Sequence, residues 1–386
     1  MNTSVPVVLP APAVRAETRA VRIAALWTML IAKMIAGWGV AWDIRWHLTI
    51  GRDSFWIPPH VMTYAGVTLA AVVAFAVLAR ETMLASGEAA PPGSVRFAGF
   101  VGAPGLHVAW WGMAIVILAA PVDDLWHRLF GIDVTLWSPP HLLGFLGSQL
   151  NTLGCLLLAL EVFDRAPAAR AVAALLAGTM LLGVFYIVVD PAVQTAFQRG
   201  GVFFFTYPVL GAFFFGGVLV LVSLLVGWRS AAVVCALAAL ALSLVGRSIG
   251  DVGFAIVQPV SAIDEAIAAD PDSPVAIAHA MARRSGGATA VPGRSLTLRI
   301  LPVVPAMVLA LWDPRRRPRG AAVAYGLTLI AWVGWSMMSW PALAHTHPSV
   351  TETAVAVVLT LVSAWAGGAT AVWLFDRCPR PITPPA

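Results

Sequence analysis

The sequence predicts an all-α fold, a polytopic transmembrane helical bundle of about ten spans, and its composition and segment lengths both support that prediction. Of the 386 residues, 59% are hydrophobic and only 11% are charged, whereas soluble domains average about 25% charged residues. The apolar residues gather in runs of about 20, the number that crosses a hydrocarbon core at about 1.5 Å per residue. A third observation, a tandem repeat in the N-terminal half, locates the candidate functional residues.

The apolar runs divide the chain into candidate spans and connections. The candidate spans are 21–41, 60–80, 104–121, 141–163, 168–189, 204–228, 231–247, 297–312, 320–341 and 352–375. The expected divisions are a tail over 1–20, a first transmembrane region over 21–230, a second over 231–375 and a tail over 376–386. Of the two long connections, 81–103 is expected to be an inner loop. Segment 251–296 is too polar to span and is expected outside, as a partly helical cap or a mobile loop.

The placement of arginine predicts the orientation of the chain. More Lys and Arg residues fall in the connections assigned to the inside, and the run from Arg315 to Arg319 is the densest of these. The positive-inside rule then places both termini in the cytoplasm, and we expect the chain to lie in the inner (plasma) membrane. The same rule explains the net charge of +5, so we expect the lipid bilayer, and no nucleic acid, as the partner of the basic residues.

The repeat consists of two short polar segments that each join one candidate span to the next. Residues 42–66 read WDIRWHLTIGRDSFWIPPHVMTYAG, and residues 122–147 read VDDLWHRLFGIDVTLWSPPHLLGFLG. Both contain WHxxxGxD, then a Trp and then PPH. Because a shared set of Trp, His, Gly, Asp and Pro does not arise from apolar composition alone, the repeat indicates a duplicated local structure.

Each copy of the repeat supplies one carboxylate and two imidazoles. The first Asp and His of each copy are four residues apart and so share a helix face, and Pro-Pro opens the next helix just before the second His. An Asp with two His suits Cu(II) or, as a 2-His-1-carboxylate triad, Fe(II). The predicted metal ligands are Asp43, His47 and His60 in the first copy and Asp123, His127 and His141 in the second.

Other roles for these polar residues stay open at this point. A Trp-His pair at a membrane boundary is also typical of an interfacial belt without a metal. Asp53 and Asp133 are expected to orient ligands, to cap helices or to pair with a nearby arginine (Arg45, Arg52 or Arg128). In Ala-His-Thr-His-Pro, His345 and His347 indicate an exposed turn or, alternatively, a copper entry point.

Several common motifs are absent from the sequence. It has no Walker loop, GxSxG, HExxH or CxxCH motif, and its three cysteines lack CxxC spacing. Nucleotide hydrolysis of the P-loop type, serine hydrolysis of the α/β type and thiolate metal binding are therefore not expected.

The first copy resembles the motif of the metal-site subunit of the copper membrane monooxygenases, the particulate methane and ammonia monooxygenases. That family has D-x3-H-x12-H, and here Asp43, His47 and His60 keep the spacing. The family's second site is N-x3-H-x13-H. Asp123, His127 and His141 keep that spacing too, with Asp in place of Asn. The resemblance covers roughly residues 21–230, and the later spans and segment 251–296 look like additions to the family's shorter chain.

The resemblance implies a function as well as ligands. In such enzymes copper activates O2 and hydroxylates a small apolar substrate or ammonia, and the metal-site subunit works beside other monooxygenase subunits. It therefore implies copper as the cofactor, with iron as the alternative, and metal motifs near the outer face of the membrane. The two sites would be alternatives or would form one centre. A non-enzymatic membrane protein that handles or relays copper is the second hypothesis.

Overall fold

The computed structural model describes residues 12–51, 54–87, 90–130, 137–164, 166–199, 206–286, 303–338 and 348–378, and within these ranges the chain is almost entirely helical. The helices are α1 (Pro12–Thr49), α2 (Pro58–Gly87), α3 (Pro104–Phe130), α4 (Pro139–Val162), α5 (Pro167–Arg199), α6 (Thr206–Val226), α7 (Ala231–Val257), α8 (Ala262–Ala269), α9 (Pro274–Gly286), α10 (Val303–Leu311), α11 (Pro318–Met338) and α12 (Val350–Phe375). A short antiparallel hairpin, β1 (Val95–Phe97) and β2 (Phe100–Gly102), joins α2 to α3.

The described helices confirm a multi-pass helical membrane protein but not the number of spans. By length and composition, eight helices could cross a membrane, namely α1 to α7 and α12. Two of the predicted spans have no counterpart among these eight. Span 297–312 contributes the nine-residue α10 to the described chain, which is too short to cross a hydrocarbon core. Span 320–341 corresponds to α11 (Pro318–Met338), which is not among the eight.

Helix ends differ from the expected span ends where polar residues continue a helix. Helix α1 begins at Pro12, inside the predicted tail, and runs to Thr49. Gly51 follows with φ of +74°, the left-handed conformation that commonly ends a helix. Segment 81–103, expected as an inner loop, holds the last turns of α2 and the β-hairpin, and segment 251–296 is helical over most of its described part.

The chain divides into two compact units. The first unit comprises Met1–Met34, Ala65–Leu181 and Arg377–Ala386, and the second comprises Ile35–Tyr64 and Leu182–Asp376. The first triad therefore belongs to the second unit, and the second triad belongs to the first unit.

In the first unit, α3 and α4 pack closely because glycines line their contact. A Cβ added at Gly154 would lie 2.3 Å from the backbone nitrogen of Ala109, and one at Gly112 would lie 2.4 Å from that of Asn151. Small residues allow such close approach of membrane helices. Asn151 is fully buried and donates a hydrogen bond of 3.1 Å to the carbonyl oxygen of Ala109. This contact holds α3 against α4 at a depth farther into the bundle than the second motif, which lies at the end of α3 and the start of α4.

Candidate metal centre

The first motif lies where the last turns of α1 meet the first turn of α2. Asp43 and His47 are four residues apart on α1, and His60 is the third residue of α2, directly after Pro58 and Pro59. The two helices touch about one turn deeper, at Gly39. A Cβ there would lie 2.4 Å from Thr63 Oγ1, so only glycine lets the helices approach this closely.

This close approach brings the three predicted ligands together. His60 Nε2 lies 3.1 Å from Asp43 Oδ1, and His47 Nε2 lies 3.5 Å from the same oxygen. Ligand atoms of all three residues lie within 4.8 Å of one another, and no other trio of His, Cys, Asp or Glu in the described part of the chain does so. Two ligands about 2.0–2.2 Å from a metal, at angles between a right angle and the tetrahedral angle, are about 2.8–3.6 Å apart. Both measured separations fall in that range.

The hydrogen bond of His60 defines which ring nitrogen faces the carboxylate. His60 Nδ1 lies 3.0 Å from the carbonyl oxygen of Ser54, and because a carbonyl only accepts, Nδ1 carries the proton. In the neutral ring, Nε2 therefore presents its lone pair toward Asp43. Metal-ligating histidines typically donate their other N–H to a carbonyl in this way, which fixes the tautomer and the ring orientation.

The buried oxygen of the Asp43 carboxylate accepts no hydrogen bond. Its Oδ1 atom is buried and has no partner at hydrogen-bonding geometry, although His60 Nε2 is only 3.1 Å away. Two lone pairs facing each other at this distance repel unless a cation lies between them or the imidazole is protonated. The residues present thus fit a bound metal ion.

Aromatic side chains lie beside the triad. The ring of Tyr64 lies 5.7 Å from that of His60, and Phe55 lies 4.9 Å from Tyr64 and 4.8 Å from Trp56. Phe55 is 60% exposed and Trp56 is 73% exposed. Trp46, Ile50 and Ile57, which are close to the triad in sequence, form a buried apolar cluster. The segments that carry the triad therefore supply both exposed aromatic rings and buried apolar residues.

The second motif has the same residues in a wider arrangement. His127 Nε2 lies 3.4 Å from Asp123 Oδ2, whereas His141 Nε2 lies 3.7 Å from Asp123 Oδ1. The buried Oδ1 of Asp123, like that of Asp43, has no hydrogen-bond partner. The structure thus gathers both histidines around Asp123, but each approaches a different carboxylate oxygen.

Some predicted site residues lie outside the described residues, namely Asp53, Asp133, His345 and His347. Of the three arginines considered as partners of the two aspartates, Arg52 also lies outside the described residues, and the other two have other partners. Arg45 pairs with Asp251 at 2.6 Å, and Arg128 pairs with Asp124 at 2.8 Å. Since the two motifs belong to different units, the expectation of one centre or of alternative sites stays a prediction.

Sequence reasoning missed the residues that support the first motif. The carbonyl of Ser54 gave no signal, since any residue there supplies one. Helix α7 contacts α1 beside the first motif. The sequence did contain a signal for this contact, because Gly246, Gly250 and Gly253 recur at helical spacing. That pattern indicates a close helix contact, although it does not identify α1 as the partner.

Comparison with known proteins adds no identification: no family model matches the chain, nor does any curated protein or solved structure. Function is therefore inferred from the motifs and their geometry.

Proposed function

We propose that the chain is a membrane-embedded copper protein that holds the ion at Asp43, His47 and His60, in a role similar to that of the metal-site subunit of the copper membrane monooxygenases. The second triad, Asp123, His127 and His141, is a weaker site of the same kind. Iron is the alternative metal. The chain would lie in the inner (plasma) membrane with both termini in the cytoplasm and the metal motifs near the outer face.

One observation carries the proposal: the buried Oδ1 of Asp43, which has no hydrogen-bond partner, faces Nε2 of His60 at 3.1 Å. An ionisable cluster at the end of a membrane helix is costly unless its charges are compensated. A copper ion would compensate the charge of the Asp43 carboxylate and would be coordinated by both imidazoles, so one bound ion would satisfy the carboxylate without a further hydrogen-bond donor.

The donor set suits a redox-active metal. Imidazole is a ligand for copper, and the carboxylate suits the higher-charged Cu(II). When bound, copper would supply the one-electron chemistry that activates O2 for hydroxylation of a small apolar substrate or ammonia. Three protein ligands leave a coordination position open for an exogenous molecule, and His47, whose side chain is 40% exposed, lies on the accessible side.

Residues of the chain itself would orient the metal ligands and favour an apolar substrate. Ser54 fixes the tautomer and orientation of His60 through the Nδ1–H donor. Asp43 offsets part of the metal charge. The exposed rings of Phe55 and Trp56 present an apolar surface beside the site, which favours an apolar molecule over water. Electron supply and any further copper domain would come from other monooxygenase subunits.

A copper-handling protein without catalysis is the second candidate function. The duplication favours it, because one chain carries a tight triad and a wide one with the same donors. Sites of graded affinity suit uptake and release of an ion.

Metal analysis of the purified chain tests the first step. Detergent-solubilised protein, stripped with chelator and reloaded with Cu(II) or Fe(II), should retain about one tight copper ion per chain, with a nitrogen-coordinated Cu(II) spectrum. Asp43→Ala should abolish that spectrum, while Asp272→Ala, at an exposed carboxylate outside the triad, should keep copper bound. A full copper complement in Asp43→Ala would reject the site.

A second experiment separates the enzyme from the copper-handling protein. Membranes that contain the chain and its co-expressed partners are supplied with reductant, O2 and either ammonia or a short alkane. Substrate-dependent O2 consumption that disappears in Asp43→Ala supports the monooxygenase. Copper transfer to a chelating acceptor without any substrate oxidation supports the copper-handling protein.

A further inference from the structure

Helix α7 presents three glycines to large side chains of α1. A Cβ at Gly253 would lie 2.3 Å from Cζ2 of Trp42, and one at Gly246 would lie 2.8 Å from Cδ1 of Trp38. At Gly250 it would lie 2.7 Å from a guanidinium nitrogen of Arg45. All three glycines are buried. We call Gly246, Gly250 and Gly253 the glycine groove. Because the seated side chains leave no room for a methyl group, the groove determines how closely α1 approaches α7.

Arg45 is anchored on α7 by three kinds of contact. It donates hydrogen bonds of 2.6 Å to Asp251 Oδ1 and 2.9 Å to the carbonyl oxygen of Arg247. Its guanidinium also lies 5.3 Å from the ring centre of Phe254, a cation–π distance. Arg45 stands midway between Asp43 and His47 on the same helix. The contacts that hold Arg45 therefore fix the rotation of α1 at the turn that carries the two ligands.

The end of α1 is bonded by the start of α8. Ser261 Oγ donates to the carbonyl oxygen of Thr49 at 2.7 Å, and the backbone N–H of Ala262 donates to that of Ile50 at 2.9 Å. The last carbonyls of a helix lack donors within the helix. Because α8 supplies them, the last turn of α1, which contains His47, stays helical.

We propose that α7, with the start of α8, positions the metal ligands of α1, and that Gly253 is the main positioning residue. The inference rests on the proposed metal site. Asp43 and His47 belong to α1, whereas His60 belongs to α2, so any shift of α1 changes the separation of 3.1 Å between Asp43 and His60. Metal–ligand distances in real sites stay within about 0.2 Å of their preferred values, so a shift of α1 that moves the ligands apart weakens binding. A residue on α7 thus controls affinity without contacting the metal.

The test measures Cu(II) affinity and the Cu(II) spectrum in Gly253→Ala. The added methyl group must displace Trp42, so we expect Cu(II) to bind about tenfold more weakly, the lower end of the effect of outer-shell changes, with an altered spectrum. Gly37→Ala is the matched control, since a Cβ at Gly37 on α1 meets nothing within 4 Å. The control should bind copper like the unmodified protein.

Size compensation distinguishes positioning from general destabilisation. Trp42→Phe removes the indole atoms that the new methyl group would strike, so the double variant Gly253→Ala with Trp42→Phe should regain most of the lost affinity. Gly253→Ala with the affinity and spectrum of Gly37→Ala would overturn the proposal, and so would weakened binding that Trp42→Phe does not restore.

Asp251 offers a milder test if Gly253→Ala does not fold. Asp251→Asn should weaken Cu(II) binding about threefold, as expected of an ion pair whose Asp is 61% exposed. Asp251→Glu should restore the affinity, and the exposed Asp272, changed to Asn, is the control. Equal affinities in all three would overturn the proposal. If the unmodified protein binds no Cu(II), it is the proposed function that fails.

Discussion

The two copies of the repeat carry the same donors at almost the same spacing, yet their geometries differ. In the first copy both histidines approach one oxygen of Asp43, at 3.1 and 3.5 Å. In the second copy they approach different oxygens of Asp123, at 3.4 and 3.7 Å. A single shared oxygen places three ligand atoms around one point, whereas two separate oxygens spread them. The difference shows that the sequence motif selects the donors but that helix packing sets their distances.

The packing around the two copies explains this difference. In the first copy, Gly39 brings α1 and α2 into contact one turn from the triad, and α7 and α8 hold the end of α1. In the second copy, the tightest contacts of α3 with α4 lie deeper, at Gly112, Gly147 and Gly154. By contrast, a Cβ at Gly144, one turn from His141, would meet Ala119 at an ordinary contact distance of 3.7 Å. One extra residue also separates the two histidines there. The first copy is therefore expected to bind metal more tightly.

The largest expected effect comes from removing one histidine from each copy. His60→Ala removes a ligand from the tight triad, so Cu(II) affinity at that site should fall by more than about 100-fold, beyond the range for outer-shell partners. His141→Ala should leave the tight site unchanged. Competition with a chelator of known affinity measures both.

Two outcomes would break the comparison between the copies. Equal losses of tight binding in His60→Ala and His141→Ala would mean that the two motifs form one centre. Loss in His141→Ala alone would reverse their order.

The next largest effect is expected at the close contact between α3 and α4, the two helices of the second copy. In Gly154→Ala the new methyl group would meet the backbone of Ala109 at 2.3 Å, and such overpacking costs about 1–3 kcal/mol. We expect a lower melting temperature in detergent, with the tight copper spectrum of the first copy retained. Gly183→Ala is the control, because a Cβ there meets nothing within 4 Å. An unchanged melting temperature in Gly154→Ala would show that α3 and α4 are less closely packed.

A smaller effect is expected from the charge of the second copy. Asp123→Asn removes the carboxylate but keeps the side-chain shape, and the weaker Cu(II) site should lose about tenfold in affinity because the charge that favours Cu(II) is gone. Asp124→Asn is the control on the same turn, since Asp124 is exposed and pairs with Arg128. Titration beyond the first copper equivalent measures the change. An unaffected second equivalent would exclude Asp123 as a ligand.

The sequence predicted the parts of the site that depend on local rules. The spacing of Asp43 and His47 on a helix face and the Pro-Pro start before His60 both follow from helix periodicity and proline chemistry. The number of spans was harder to predict from the sequence. Helix α10 has the apolar composition of a span, but its described part is only nine residues long.

The contacts that hold α1 at the first copy could not be predicted from local rules. Asp251 lies 206 residues from Arg45 along the chain, and a charged residue on a helix does not indicate its distant partner. The contact between Gly253 and Trp42 is likewise set by the approach of two whole helices, which depends on all the side chains between them.

The smallest expected effect is a pH dependence confined to the first copy, through the α8–α9 segment. His279 on α9 is only 7% exposed. Burial, together with the nearby positive charge of Arg283, lowers its pKa below the usual 6.5, and Asp264 opposes this shift in part. The folded protein therefore favours neutral His279. The stability that neutral His279 gives the fold is fully present above the unfolded pKa of about 6.5 and is lost as the pH falls through the lowered pKa of the folded protein.

Protonation of His279 should therefore loosen the α8–α9 segment first. Since Ala262 bonds the end of α1, hydrogen exchange of the Ala262 amide, corrected for intrinsic rates, should lose protection between pH 7.5 and about pH 5.5. The Phe163 amide, which bonds Ala159 at the end of α4 in the other unit, should not. His279→Gln keeps a polar side chain but cannot become charged, so in this variant the Ala262 amide should keep its protection over the same pH range, as the Phe163 amide does. A parallel loss of protection at both amides in that variant would mean that the pH acts on the whole fold and that α8 does not respond through His279.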